Sequence, residues 1–244
     1  MKYQEIKPNN SYSNLVKLFW QFENTNSSEK HYTILPDGFF SLVVFIVNSK
    51  IDEILLYGIW SKQIDVVVPA FTTVLGVSFN PIAAEYIFNE TIADIHNSFK
   101  PLSNSYFGIN NLPIDNFQEF ANQFLNLISK NIKIDARKIK VFELLFLSSS
   151  ALYISELSKK VLWSSRQMNR YFKYNFGLTL KTYANILRCS AAYLQIKEGN
   201  LYAPLAYYDQ SHFIKEIRKY TGFNPKVLHK NKNDRFLQFS FMIK

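Results

Sequence analysis

Cysteine occurs once in this chain, at Cys189, so no disulfide can form within it. That fits a reducing compartment and excludes a small secreted scaffold stapled by disulfides. Glycine is sparse, at 7 of 244 residues, and the chain has neither a glycine-rich phosphate loop nor a serine set in a glycine elbow. Its histidines, His31, His96, His212 and His229, are scattered without the close spacing of a metal-binding motif. Asp and Glu are dispersed, and a carboxylate pair formed only in space stays open at this point. The expectation is a protein that is not an enzyme and carries no cofactor and no metal. No apolar run is long enough to span a bilayer. The longest, from Phe39 to Val47, is interrupted by Ser41 and reads as a buried strand. The start, Lys2-Tyr3-Gln4-Glu5, is polar and lacks the apolar core of a signal peptide. A cytoplasmic protein without a membrane partner is expected.

Arginine is also missing from more than half of the chain: the first is Arg137. Residues 1–130 hold 8 Lys, no Arg and 12 acidic residues, a net charge of −4, whereas residues 131–244 hold 14 Lys, 6 Arg and 7 acidic residues, a net charge of +13. A basic half joined to a mildly acidic one is the electrostatic footprint of a nucleic-acid-binding module attached to a domain with another task. A solubilising charged face would give the same totals, and charge alone does not separate DNA from RNA or anionic lipid. At 48% hydrophobic and 19% charged, the chain has the composition of a globular protein, with room for two modest cores.

The first half is rich in β-branched and aromatic residues. Strands are expected at 31–35, 40–47, 54–59, 64–68 and 72–79, with Pro36-Asp37-Gly38 as a turn in which Gly38 takes a positive φ. From Pro81 the spacing turns helical, with Ala84, Ile87 and Phe88 on one side. Asp115 is placed to cap a helix striped by Phe117, Phe120, Phe124, Leu127 and Ile128. Ser129-Lys130-Asn131 is the expected interdomain connection, giving a regulatory domain over 1–130 and a helical domain over 131–244. In the second half Ile139, Phe142, Leu145 and Phe146 stripe one helix, and Leu152 to Lys160 forms a second. A long one from Leu180 to Lys197 buries Tyr183, Ile186, Leu187, Ala191 and Leu194. The fold class is therefore α+β: a β-rich N-terminal domain, then an all-α domain with two helix-turn-helix units joined by a long helix.

The two units carry the functional signal. In the first, residues 154–164 have the grammar of a helix, a tight turn and the cap of a second helix, with Leu157 inward and Ser164 satisfying free N–H groups. The second helix, closed by Gly177, turns Met168, Tyr171, Phe172 and Phe176 inward. That leaves Ser165, Arg166, Gln167, Asn169, Arg170 and Lys173 on or beside its outer face. In the second unit Asp209 caps a helix closed by Gly222, with Gln210, Ser211, His212, Lys215, Arg218 and Lys219 toward solvent. Amide side chains match adenine, arginine matches guanine, and lysine suits phosphate, so such faces fit a DNA major groove.

Over roughly residues 135–229 the sequence resembles the AraC/XylS family of bacterial transcription regulators. The resemblance rests on Leu157, Ser164, Met168, Arg170, Phe172, Gly177, Tyr183, Arg188 and Ala192, then on Tyr208-Asp209-Gln210-Ser211-His212-Phe213 and Tyr220-Thr221-Gly222-Phe223-Asn224-Pro225. It implies base reading by Arg166, Asn169 and Arg170 and by Gln210, Ser211, His212 and Lys215. Ser165, Lys173, Arg218 and Lys219 are the candidates for backbone contact. The chain departs from the family at residues 199–207, which are shorter than the family's spacing, with Pro204 and Ala206 where a helix and its turn glycine would stand. On this reading the second unit is expected to lack its supporting helix. The N-terminal half, through residues 31–38 and Leu75-Gly76-Val77-Ser78-Phe79-Asn80-Pro81, resembles more weakly the β-rich domain that precedes the DNA-binding module in many such regulators.

Two function classes follow. One is a sequence-specific double-stranded-DNA-binding transcription regulator, modulated by a small-molecule effector or by self-association into a homodimer, with RNA polymerase as a further partner. The other is a ligand or protein receptor whose helical half docks to a protein partner and binds DNA only non-specifically. Phe39, Phe40, Phe45, Tyr57, Trp60, Phe71 and Phe79 are candidates to line an effector pocket, and a plain β-domain core explains them equally well. Cys189, set among buried positions of the long helix, reads as an inert thiol.

Overall fold

The structure is a computed structural model that describes residues 2–9, 11–128, 132–147, 154–204 and 207–241. Its strands are β1 (Lys2–Ile6), β2 (Val16–Asn24), β3 (Lys30–Ile34), β4 (Phe40–Val47), β5 (Lys50–Tyr57), β6 (Ile64–Val68), β7 (Thr72–Phe79) and β8 (Phe99–Leu102). Its helices are α1 (Ala83–Tyr86), α2 (Phe117–Ile128), α3 (Ala136–Leu147), α4 (Ile154–Val161), α5 (Ser165–Phe176), α6 (Leu180–Ala191), α7 (Tyr193–Lys197), α8 (Gln210–Thr221), α9 (Pro225–Lys230) and α10 (Leu237–Phe241). The α+β class is as the sequence indicates. Among the described residues no helix is long and apolar enough to cross a membrane.

The chain divides into two compact units. The first comprises residues 1–30, 39–59 and 67–134; the second comprises residues 31–38, 60–66 and 135–244. The connection expected at Ser129-Lys130-Asn131 lies outside the described residues. In the first unit six strands pair in the order β1-β2-β7-β4-β5-β8, and every register described is antiparallel. Residues 40–47, 64–68 and 72–79 form strands at the expected bounds, whereas β5 begins earlier, at Lys50. β1, β2 and β8 had no counterpart in the sequence reading.

The core of this unit is aromatic. Phe19, Phe40, Phe79, Phe120 and Phe124 are fully buried, with Phe40 stacked on Phe79 at 5.2 Å and Phe124 edge-on to Phe19 at 5.9 Å. Rings meeting in these offset and edge-on arrangements add to plain area burial. Phe88 closes the cluster edge-on to Phe40 and Phe79. α2 covers the sheet through its Phe117, Phe120, Phe124 and Ile128 face, while Leu127 is exposed. Its cap is Asn116, whose Oδ1 accepts the Glu119 N–H at 3.1 Å, so the cap lies one residue beyond the expected Asp115. Gly76 is fixed by its neighbour across the ladder: it pairs with Trp20, and a Cβ there would overlap the indole ring.

These packings also settle where the aromatic candidates for a pocket lie. Phe40 and Phe79 are core, and Phe71 is exposed with a φ of 52°. Tyr57 stacks on Phe99 at 5.3 Å, and Trp60 belongs to the second unit.

The second unit is helical except for a two-stranded ribbon, β3 with β6, contributed by the N-terminal half of the sequence. Its core is built on Phe142, which meets Phe172 at 5.5 Å, Phe176 at 6.0 Å and Tyr183 at 5.9 Å. The helix expected over 180–197 is two helices, α6 and α7, parted at Ala192, whose N–H reaches back to the Cys189 carbonyl at 3.1 Å. That tighter turn, and burial against the ribbon, change which side is covered. Ala191 and Leu194 are exposed, while Ala192, Tyr193 and Ile196 are buried. Tyr193 donates its hydroxyl hydrogen to the Pro36 carbonyl at 2.8 Å. Gly38, with φ 88° as expected, lies against Leu187 and Tyr183.

Candidate nucleic-acid interface

α4 and α5 form the first helix-turn-helix. Leu157 and Val161 are buried on α4, and the chain turns through Leu162 at φ 52°. Ser164 then caps α5: its side chain accepts the Gln167 N–H at 3.2 Å, and Gln167 Oε1 accepts the Ser164 N–H at 3.1 Å. This reciprocal box satisfies N–H groups that no helical carbonyl can reach. At the other end Gly177 adopts φ 72°, the left-handed stop that glycine supplies without strain. Between these ends Met168, Phe172 and Phe176 are fully buried, as expected of a helix with one apolar stripe. Tyr171 is half-buried, with Trp163 at 5.3 Å and the Lys138 ammonium 4.8 Å from its ring centre.

The opposite face of α5 holds Ser165, Arg166, Arg170 and Lys173, all exposed. Gln167 is exposed as well, but its carbonyl oxygen belongs to the capping box. Asn169 is half-buried, and its Oδ1 accepts the Leu180 N–H at 3.2 Å, tying α5 to the start of α6. Thr179 caps α6 by accepting the Thr182 N–H at 3.0 Å. An open groove runs along these two helix starts, lined by Ser165, Arg166, Asn169, Thr179, Leu180 and Lys181. Lys181 was missed by the sequence reading. The signal for it was a Thr cap followed two residues later by a lysine, beside a neighbouring helix start.

α8 is built on the same plan. Asp209 accepts the His212 N–H at 2.7 Å, Gly222 closes the helix at φ 76°, and Phe213, Ile217 and Tyr220 are buried. Ser211, Lys215, Arg218 and Lys219 are exposed. Gln210 is also exposed, yet both ends of its amide are engaged: Oε1 accepts the Ala203 N–H and Nε2 donates to the Leu201 carbonyl, each at 2.9 Å. His212 Nδ1 accepts the Tyr208 N–H at 3.4 Å.

Among the described residues no helix lies between α7 and α8, in keeping with the shortened spacing at 199–207. Leu205 and Ala206 lie outside the described residues. Tyr207 takes up packing there, with its ring 4.9 Å from Phe213 and its hydroxyl donating to the Arg188 carbonyl at 3.3 Å. Arg188 ties α6 to α8 through Glu216 at 3.5 Å, with both side chains largely shielded, and lies over the Tyr207 ring. His229 secures α9, donating from Nδ1 to the Ile196 carbonyl at 3.0 Å. Cys189 is buried, which pushes its thiol up to about 12 despite the Tyr193 hydroxyl beside it, so little thiolate exists near neutral pH.

The arginines fall into two sets. Arg137 pairs with Asp135 at 2.7 Å, Arg188 with Glu216, and Arg235 with Asp65 at 3.8 Å. Arg166, Arg170 and Arg218, on α5 and α8, have no acidic partner among the described residues, and Lys173 and Lys215 share that condition. Lys219 is paired with Glu216 at 3.8 Å. The three arginines without an acidic partner among the described residues thus all stand on two helices whose other faces are buried.

Residues 4–101 match the model of a domain of unknown function, DUF6597. No curated protein matches the chain. Among solved structures, the chain is similar to ToxT from Vibrio cholerae O395, with 10% identity, 95% of this chain and 98% of that chain covered, and a TM-score of 0.45. It is similar to a 1.65 Å structure of ToxT from Vibrio cholerae, with 12% identity over 93% and 96% of the two chains and a TM-score of 0.42. A ToxT structure with bound unsaturated fatty acid, from Vibrio cholerae strain SCE256, aligns at 10% identity over 93% of each chain with a TM-score of 0.40.

Proposed function

We propose that this chain is a double-stranded-DNA-binding transcription regulator of the AraC/XylS type, with α5 as its principal reading helix. The observation that carries the reading is the placement of unpaired cations. Arg166, Arg170 and Lys173 project from a helix capped at both ends and buried along its other face. A rigid helix of this kind loses little freedom on entering a groove, and neutralising phosphate supplies most of the affinity. Arg166 and Arg170 then read bases, assisted by the amide nitrogen of Asn169, while Ser165, Lys173 and Lys181 hold the backbone. α8 contributes Ser211, Lys215, Arg218 and Lys219 chiefly as a positioning element, because its Gln210 is occupied by the preceding loop. The first unit would bias binding through an effector or self-association.

The test is selection of duplexes from a random pool by the full-length protein at near-physiological salt, followed by Arg170→Ala on the enriched site. A recovered motif is expected, with a loss of about 1–3 kcal/mol for Arg170→Ala on that site and a smaller loss on shuffled DNA. Equal losses on both would reduce Arg170 to a phosphate contact. Absence of any enrichment, with weak binding that fades with salt, would favour a helical unit that docks to a protein partner.

A further inference from the structure

The segment that stands in place of a helix before α8 carries two of the most exposed aromatic side chains among the described residues. Tyr202 is 81% exposed and Tyr208 is 93% exposed, whereas Tyr207, next in sequence to Tyr208, is buried. An aromatic ring left in water forfeits the burial that gives such residues their value in a fold. The backbone that carries these two rings is nonetheless firmly tied. Gln195 Nε2 donates to the Tyr202 carbonyl at 2.7 Å, and the Tyr202 N–H donates to Asn200 Oδ1 at 3.3 Å. Gln210 grips Leu201 and Ala203 on either side of Tyr202, and the Tyr208 N–H is held by His212 Nδ1. Two of the fastening side chains, Gln210 and His212, belong to the first turn of α8 itself. Leu201 to Ala203 and Tyr208 are therefore fastened to the first turn of the helix, with an exposed tyrosine in each place.

From this arrangement we infer that Tyr202 and Tyr208 clamp the sugar–phosphate backbone of duplex DNA beside α8, their hydroxyls donating to phosphate oxygens and their rings packing on deoxyribose. The inference rests on the DNA-binding reading above. What selects nucleic acid as the occupant is charge complementarity. The exposed face of α8 continues through Ser211, Lys215 and Arg218, spaced three to four residues apart as one helical face requires. The acidic Asp209 between loop and helix is committed to the cap. Tyrosine is a backbone-contacting side chain that discriminates little between sequences. The shortened unit would thus have exchanged a supporting helix for a clamp that fixes register while α5 reads sequence.

The experiment uses full-length protein, the most enriched duplex from the selection and a shuffled duplex of equal length, with Tyr202→Phe, Tyr208→Phe and the double variant Tyr202→Ala/Tyr208→Ala. Each phenylalanine variant, lacking only the hydroxyl, is expected to weaken binding by about three- to tenfold. The double alanine variant is expected to weaken it by about thirtyfold or more if the two sites act independently. Both duplexes should suffer by the same factor, with an unchanged preferred sequence and unchanged thermal melting. Full affinity in the double alanine variant, where Arg170→Ala still impairs binding, would overturn the clamp and leave the regulator reading intact. A loss confined to the selected duplex, with altered sequence preference, would overturn backbone contact in favour of base reading. Failure of the unaltered protein to bind either duplex even at about 50 mM salt, where phosphate contacts are strongest, would overturn both readings.

Discussion

Leu162 occupies the tightest point of the first helix-turn-helix, at φ 52° with 88% of its surface exposed. The left-handed region costs a residue with a Cβ about 1–2 kcal/mol, and a leucine this exposed recovers almost nothing by burial. Leu162→Gly is therefore expected to stabilise the protein by about 1 kcal/mol, net of glycine's greater freedom in the unfolded chain. Thermal melting should rise by about 2–4 °C for a chain of this size, with binding to the selected duplex retained. A lower melting temperature would show that the leucine makes a contact worth more than the strain. The amide side chains on α5 and α8 show the opposite economy. Gln167 fastens a cap, Asn169 spends its oxygen on the Leu180 N–H, and Gln210 spends both ends of its amide on a loop. Sequence reasoning assigned Asn169 and Gln210 to bases, and placed Gln167 on the outer face beside them, because the same chemistry that matches adenine also matches unsatisfied backbone. Their positions were legible, and their bonding was not. Arg166, Arg170 and Lys173 were read more securely, since a charged side chain opposite an apolar stripe has only solvent or a partner to face.

At the scale of elements, the buried strands announced themselves and the edges did not. β4 and β7 are central and largely buried, so residues 40–47 and 72–79 were readable as strands from their β-branched and apolar content. β1 is an edge strand of mixed polarity, and β8 is a four-residue edge containing Pro101. β2 carries a register shift between Val16 and Leu18, which breaks the alternation that would have marked it. The β3–β6 ribbon was located in sequence but not in space, because periodicity tells which residues are covered and not by what. Its attachment is specific. Gln238 on α10 accepts the Leu35 N–H at 2.9 Å and donates to the Leu35 carbonyl at 2.7 Å, imitating a strand partner. Arg235 reaches Thr33 Oγ1 at 3.0 Å, and Thr33 in turn donates to Asp65 across the ribbon at 2.6 Å. Gln238→Ala leaves both polar backbone groups of buried Leu35 without these partners, and should cost about 2–4 kcal/mol. Chemical denaturation would show this as a lower midpoint at unchanged slope. An unchanged midpoint would mean that water replaces the glutamine without loss, and that the ribbon is only loosely held.

For the whole molecule, the course of the chain matters more than the count of domains. It passes from one compact unit to the other after residues 30, 38, 59, 66 and 134, so the unit bearing α5 and α8 is completed by segments far upstream in sequence. A division of labour between an acidic first half and a basic second half is real in charge, yet the cut it suggests at 130/131 would remove the ribbon from the second unit. Residues 135–244 expressed alone would uncover the side of α6 and α7 that meets Pro36 and Gly38. Buried Tyr193 would lose its Pro36 acceptor, and Leu35 would no longer cover α10. Lost contacts of this kind fall on apolar surface as well as on hydrogen bonds, so the deficit is comparable with the stability of a whole domain. The expected outcome is that the fragment shows no cooperative thermal transition, or one far below that of the full chain, and that its DNA affinity falls accordingly. Full-length protein, by contrast, should unfold with coincident transitions by far-ultraviolet circular dichroism and tryptophan fluorescence, since four of the five crossings bracket ribbon segments whose release disturbs both units. A fragment that melts cooperatively at the temperature of the intact protein would show that the helices are self-sufficient and that the ribbon merely rests on them. Should the fragment fail as expected, any effector or self-association that alters the sheet strands flanking β3 and β6 has a covalent route to α5 and α8, the helices proposed to bind DNA.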